Sequence, residues 1–160
     1  MKRALLLFAA MLAFAAQAVA ADLQSFGRGS WQALRQSHEG KPTVVHFWGL
    51  TCGPCLVELP EWGQLLRDRP DMTLVTIAAD PSPMRPEALS DALDKAGLGQ
   101  AENRMFDGMS ERLRFEVDPS WQGELPMTVL IGADGSIQST IGEADLSAIL
   151  SWLDAQERRG

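Results

Sequence analysis

A single α/β layer sandwich, with helices packed over a central mixed sheet, is the fold class this sequence predicts. Three observations carry it. Short runs rich in β-branched and aromatic residues alternate with helix-period segments through the first half of the chain, a pattern that demands parallel strands joined by crossovers. Asp134-Gly135 separates two further strand-like runs, a strong hairpin signal that adds antiparallel strands. An apolar stripe at helical spacing closes the sequence. The 160 residues suffice for one domain with a sizeable core, and no internal repeat, low-complexity tract or linker divides them.

Taken in order, Ser30 is placed to cap a short helix running to Ser37, with Trp31 and Leu34 as its apolar contacts. Gly40-Lys41-Pro42 is a turn. Thr43 to Trp48 follows as a nearly continuous apolar run, expected of a strand buried on both faces. After a loop carrying both cysteines, Leu56, Leu59, Trp62 and Leu66 lie at helical spacing, with Pro60 inside the pattern removing a backbone donor. Met72 to Ala78 reads as a second buried strand, and Pro81, Pro83 and Pro86 mark an irregular stretch. Glu87 to Ala96 is a helix with Ala88, Leu89, Ala92, Leu93 and Ala96 on its apolar side, ended by Gly97. Residues 98–124 carry the weakest signal, with a short helix around Glu111 to Phe115. Thr128 to Ile131 and Ile137 to Ile141 are the hairpin strands. A helix over about 144–157 then places Leu146, Ile149, Leu150 and Leu153 on one face.

The N-terminus differs in kind. Lys2 and Arg3 precede an uncharged apolar run from Ala4 to Ala16, and Ala18-Val19-Ala20 supplies small residues at the positions a signal peptidase inspects. The run falls short of the ~20 residues that span a bilayer. Residues 1–20 are therefore expected to be a cleavable signal peptide and 21–160 the exported, periplasmic domain, with a membrane-anchored form as the alternative. Without Lys2 and Arg3, twelve basic residues face twenty-one acidic ones, a net charge of −9. That balance argues against nucleic acid and anionic membrane surfaces, both of which need clustered Lys and Arg.

The two cysteines, Cys52 and Cys55, are separated by only two residues. A bridge between them closes almost no loop and adds little chain-entropy stabilisation, so chemistry explains the pair better than structure does. Cys52 falls between a buried strand and a helix. Unpaired N–H groups and the positive end of the helix dipole there favour the nucleophilic thiolate. Two intervening residues let Cys55 reach a mixed disulfide formed at Cys52, and Pro54 suits a first helical turn. Half of a zinc site is the competing reading. It requires four protein ligands, and only His38 and His46 remain as further His or Cys candidates.

The stretch from Phe47-Trp48-Gly49-Leu50-Thr51 through Cys52-Gly53-Pro54-Cys55 to Glu58-Leu59-Pro60 resembles the active-site segment of thioredoxin-like proteins of the TlpA/ResA/CcmG group. Leu125-Pro126-Met127-Thr128-Val129-Leu130-Ile131, followed by Asp134-Gly135, is similar to that group's cis-proline strand and hairpin. The likeness runs over about residues 40–156 and is poorest across 98–124. It implies a thioredoxin-like fold, with that segment as an insertion before the cis-proline strand.

The resemblance also implies roles. Cys52 is the attacking cysteine and Cys55 the buried resolving one. Pro126 is cis beside the disulfide, where Leu125 can pair with an extended substrate. Glu58 matches an acid three residues after the second cysteine, placed to exchange protons with Cys55; a solvated helix acid is the alternative. His46 stands where thioredoxins have a buried acid, as a proton relay or as a hydrogen-bonded core histidine. Trp48 is placed with the substrate-binding residues, as a packing aromatic at the site's edge rather than a specific recognition group. Thr51 departs from the pattern, which usually carries a second tryptophan there.

The expected activity is that of an exported thiol:disulfide oxidoreductase reducing periplasmic protein disulfides, in cytochrome c maturation or copper-site assembly. Its electrons come from a membrane donor of the DsbD or CcdA kind. The expected protein is a monomer whose only redox group is the Cys52–Cys55 disulfide, with no metal or separate cofactor. A disulfide-donating oxidase or isomerase, and a Cu(I) chaperone using the same cysteines, are the alternatives.

Overall fold

The computed structural model describes residues 21–81 and 85–159. Residues 1–20, read above as a signal peptide, and Pro83 lie outside these residues. In chain order the described elements are β1 (Leu23–Phe26), α1 (Ser30–Ser37), β2 (Thr43–Trp48), α2 (Gly53–Asp68), β3 (Thr73–Ala78) and α3 (Pro86–Ala96). They continue with β4 (Glu102–Phe106), α4 (Ser110–Val117), β5 (Met127–Ile131), β6 (Ile137–Ile141) and α5 (Leu146–Glu157). The strands form one sheet in the order β1-β4-β3-β2-β5-β6. β1, β4, β3 and β2 run parallel, while β5 and β6 are antiparallel to their neighbours. The chain thus has the mixed α/β sandwich its patterning predicts.

β2 shows why its sequence is apolar without alternation. Successive side chains point to opposite faces, and both faces are covered. Val44 and Trp48 join a cluster with Leu59, Trp62, Leu89, Leu93, Ile149 and Leu153, from α2, α3 and α5. Val45 and Phe47 join a second cluster with Trp31, Leu34, Leu113 and Trp121 on the α1–α4 side. All six residues of β2 are buried.

Several local expectations change. Ser30 opens α1 without capping it: Gly29 is the N-cap, and the Ser30 hydroxyl accepts from the Gly27 N–H at 3.0 Å. α2 runs on through Pro60 to Asp68, and its buried side is Cys55, Glu58, Leu59, Trp62, Gly63 and Leu65. Leu56 turns outward from that stripe. Gly97 ends α3 as expected.

Residues 98–124 hold a strand and a helix. β4 escapes a periodicity reading because its polar residues find tertiary partners. The Asn103 amide oxygen accepts from the Thr76 hydroxyl at 2.7 Å, and its nitrogen donates to the Leu98 and Ala101 carbonyls. Glu102 accepts from Arg104 and pairs with His38. Beyond α4, Trp121 anchors the segment: its ring stands 4.9 Å from Phe47, edge-on, and its indole donates to the Glu124 carbonyl.

Candidate active site

Cys52 is the N-cap of α2. Its sulfur accepts the Cys55 N–H at 3.2 Å and is disulfide-bonded to Cys55. The strand-to-helix junction thus places one sulfur at the helix start, where free N–H groups and the dipole favour negative charge. The two sulfurs differ in access: Cys52 is half-buried and Cys55 fully buried. An incoming disulfide can reach only the first. Leu56 and Val57, the latter 72% exposed, follow Cys55 on the open side of α2.

Leu125-Pro126 is a cis peptide and Pro126 is buried. The β2–β5 register pairs Phe47 with Met127, which brings Pro126 level with the end of β2, where the cysteine loop begins. The Gly142 N–H donates to the Pro126 carbonyl at 2.8 Å and ties the turn to the end of β6. Leu125 is half-buried against the same cluster as Cys52, Cys55 and Trp48. Trp48 itself is wholly buried, in keeping with a packing aromatic; it offers no ring to a partner, which corrects its assignment among the substrate-binding residues.

Glu58 is buried rather than solvated. One carboxylate oxygen accepts from the Trp62 indole at 2.9 Å and from the Ala144 N–H at 3.0 Å, while the other has no partner. Burial raises its pKa; the two hydrogen bonds pull the other way but are outweighed. It follows Cys55 by three residues, one helical turn along α2, and is held toward its protonated form.

His46 lies on the same face of the sheet. Its Nδ1 pairs with the Thr128 hydroxyl at 3.2 Å, its Nε2 has no partner, and its ring stands 4.8 Å from that of Trp62. Burial lowers its pKa to about 3, so the imidazole is neutral at ordinary pH. Trp62 is therefore shared, touching His46 with its ring and Glu58 with its indole N–H.

One site residue carries no legible sequence signal. Asp80, two residues beyond β3, is buried and accepts hydrogen bonds from Leu50 and Thr51 in the loop before Cys52. Only an acid just past a strand end marks it in the sequence, and such acids are common in solvated loops. Among the described residues, no three His, Cys, Asp or Glu side chains gather as a metal-holding group, and no helix is long and apolar enough to cross a membrane.

No protein-family model matches the chain, and no curated protein matches it in sequence. Solved structures do. A secreted Mycobacterium tuberculosis disulfide oxidoreductase, homologous to E. coli DsbE, is 24% identical over 75% of this chain and 85% of its own, with a TM-score of 0.59. StoA from Bacillus subtilis is 23% identical over 71% of this chain and 83% of its own, with a TM-score of 0.55. A thioredoxin-family thiol:disulfide interchange protein from Chlorobium tepidum is 20% identical over 76% of this chain and 83% of its own, with a TM-score of 0.60. Joined to the strand order, the cis-proline turn and the disulfide at the start of α2, these likenesses establish that the chain has the thioredoxin-like fold.

Proposed function

We propose that this chain is a thiol–disulfide oxidoreductase acting as a dithiol reductase of exported proteins. The observation that carries the reading is the asymmetry of one disulfide: Cys52 reachable at a helix N-terminus, Cys55 sealed behind it. In the reduced enzyme the Cys52 thiolate attacks a substrate disulfide and expels one substrate thiolate. Cys55, deprotonated with Glu58 as the nearby acceptor, then attacks Cys52 of the mixed disulfide and expels the second. Two electrons pass to the substrate, whose two thiolates take up one proton from Glu58 and one from water, and the enzyme is left as the Cys52–Cys55 disulfide. Leu125, beside the cis proline, supplies backbone for an extended substrate segment.

Gly53-Pro54 between the cysteines supports the reducing direction, since reducing thioredoxins lie near about −270 mV and strong oxidants near about −120 mV. The signal-like N-terminus and the secreted M. tuberculosis neighbour support export. An oxidising compartment then requires an external electron source, and a membrane donor of the DsbD or CcdA kind fits that need. Apocytochrome c and copper-site proteins are the clients the resemblance favours. The chemistry needs no metal or cofactor beyond the disulfide.

Cys52→Ser should abolish reduction of a model protein disulfide, and Cys55→Ser should accumulate a mixed disulfide whose attached protein identifies the client. A reduction potential above about −150 mV would reassign the chain as an oxidase. Tight stoichiometric Cu(I) binding without disulfide exchange would reassign it as a copper chaperone.

A further inference from the structure

We propose that Asp80 is a positioning residue of this site: its carboxylate clamps the turn that delivers Cys52 to α2, and its charge biases the cysteine pair toward the disulfide, keeping the protein a reductant. The inference rests on the redox reading above and names a determinant outside the cysteine motif.

The geometry is specific. Asp80 is only 4% exposed. One carboxylate oxygen accepts the Leu50 N–H, and the other accepts the Thr51 N–H at 3.1 Å and the Thr51 hydroxyl at 2.6 Å. These are the last two backbone donors before Cys52, whose own N–H turns back to the Gly49 carbonyl at 3.2 Å. The strand ends beneath are locked by the Ala79 N–H donating to the Trp48 carbonyl at 2.8 Å. Gly49 makes the arrangement sterically feasible, since a Cβ there would lie 2.4 Å from the Asp80 oxygen. None of the ion pairs among the described residues includes Asp80, whose recorded partners are the Leu50 and Thr51 donors.

Two consequences follow for the neighbouring sulfur. The turn is fixed before any substrate arrives, so Cys52 is presented without an ordering cost at the encounter. The carboxylate also places a negative charge on the residue immediately before Cys52, and a like charge near a forming thiolate disfavours it. A pair whose reduced form is stabilised is oxidising; Asp80 works in the opposite sense. Thr51 completes the clamp with its hydroxyl, at the position where the resembling proteins usually carry tryptophan.

The test is the equilibrium of the full chain with glutathione, in which one enzyme disulfide and two glutathione thiols give the enzyme dithiol and one glutathione disulfide. Asp80→Asn removes the charge and retains an acceptor. It should shift the equilibrium about tenfold toward the dithiol, equivalent to ~30 mV. Thr51→Val leaves the carboxylate less compensated and should shift it the other way by a smaller factor. Loosening of the turn alone would move both variants in the same direction, and that result would overturn the proposal, as would shifts below about twofold in Asp80→Asn. Should Asp80→Asn fail to fold, the sign of the Thr51→Val shift decides: toward disulfide supports the clamp, and any other result overturns it. Gly49→Ala, which forces the carboxylate off the turn, should impair the wild-type background and add nothing to Asp80→Ala. A wild-type chain that does not exchange with glutathione at all would instead defeat the redox reading itself.

Discussion

Glu58 and His46 flank one indole and are perturbed in opposite directions by the same cause, loss of water around the charged form. The signs set distinct pH signatures. Glu58 titrates in the folded protein above its ordinary value, so the folded chain holds its proton more tightly than the unfolded chain does. Its contribution to stability is complete in acid and is lost as pH rises through the folded value. Glu58→Gln keeps an oxygen for Trp62 and Ala144 but cannot ionise. It should melt above wild type at pH 8 and level with it near pH 4, and should slow resolution of the mixed disulfide by roughly 10²-fold. His46 behaves in reverse. Its neutral form is enforced down to about pH 3, so stability falls as pH drops below about 6.5 and the unfolded imidazole takes a proton. The loss should reach about 2–3 kcal/mol by pH 4.5. His46→Asn should remove that part of the acid sensitivity, read as a smaller difference between urea midpoints at pH 7 and pH 4.5.

At the scale of elements, the helix that carries the site is held by a close approach to its neighbour. A Cβ on Gly63 of α2 would lie 1.7 Å from the Ala96 carbonyl at the end of α3, and backbone cannot yield as a flexible side chain does. Gly63→Ala should therefore push the two helices apart and cost about 1–3 kcal/mol in denaturant unfolding. If the displacement reaches Cys55, the reduction rate falls with it. β4 supplies a second expectation. Replacing Asn103 by Leu strands the Thr76 hydroxyl and the Ala101 carbonyl, while the Leu98 carbonyl keeps the Ala101 N–H. Each buried group left unpaired costs about 1–3 kcal/mol, so the β3–β4 part of the sheet should show the earliest amide exchange in the variant.

For the whole molecule, the two clusters share every interior strand of the sheet, so neither can dissolve while the other stands. Unfolding should be a single transition. A chain retaining only Trp62, in the cluster with α2, and one retaining only Trp121, in the cluster with α4, should each report a fluorescence midpoint coincident with that of its own backbone signal. Separate midpoints would show two independently melting layers. The same architecture divides what the sequence determined from what folding decided. β2, α2, the hairpin around Asp134-Gly135 and α5 were legible, as was the start of a helix at Cys52, because apolar period and turn chemistry act between residues a few positions apart. Polar β4 was not, since its Asn103 is satisfied by Thr76 on another strand. Neither were the partners of the buried Glu58, among them the Ala144 N–H eighty-six residues away, nor the grip of Asp80 on Leu50 and Thr51. The sequence alone thus determined where a sulfur would meet a helix. Only the tertiary structure decided which carboxylates surround it and how dry they are, because desolvation and hydrogen bonding are properties of the groups brought close in space.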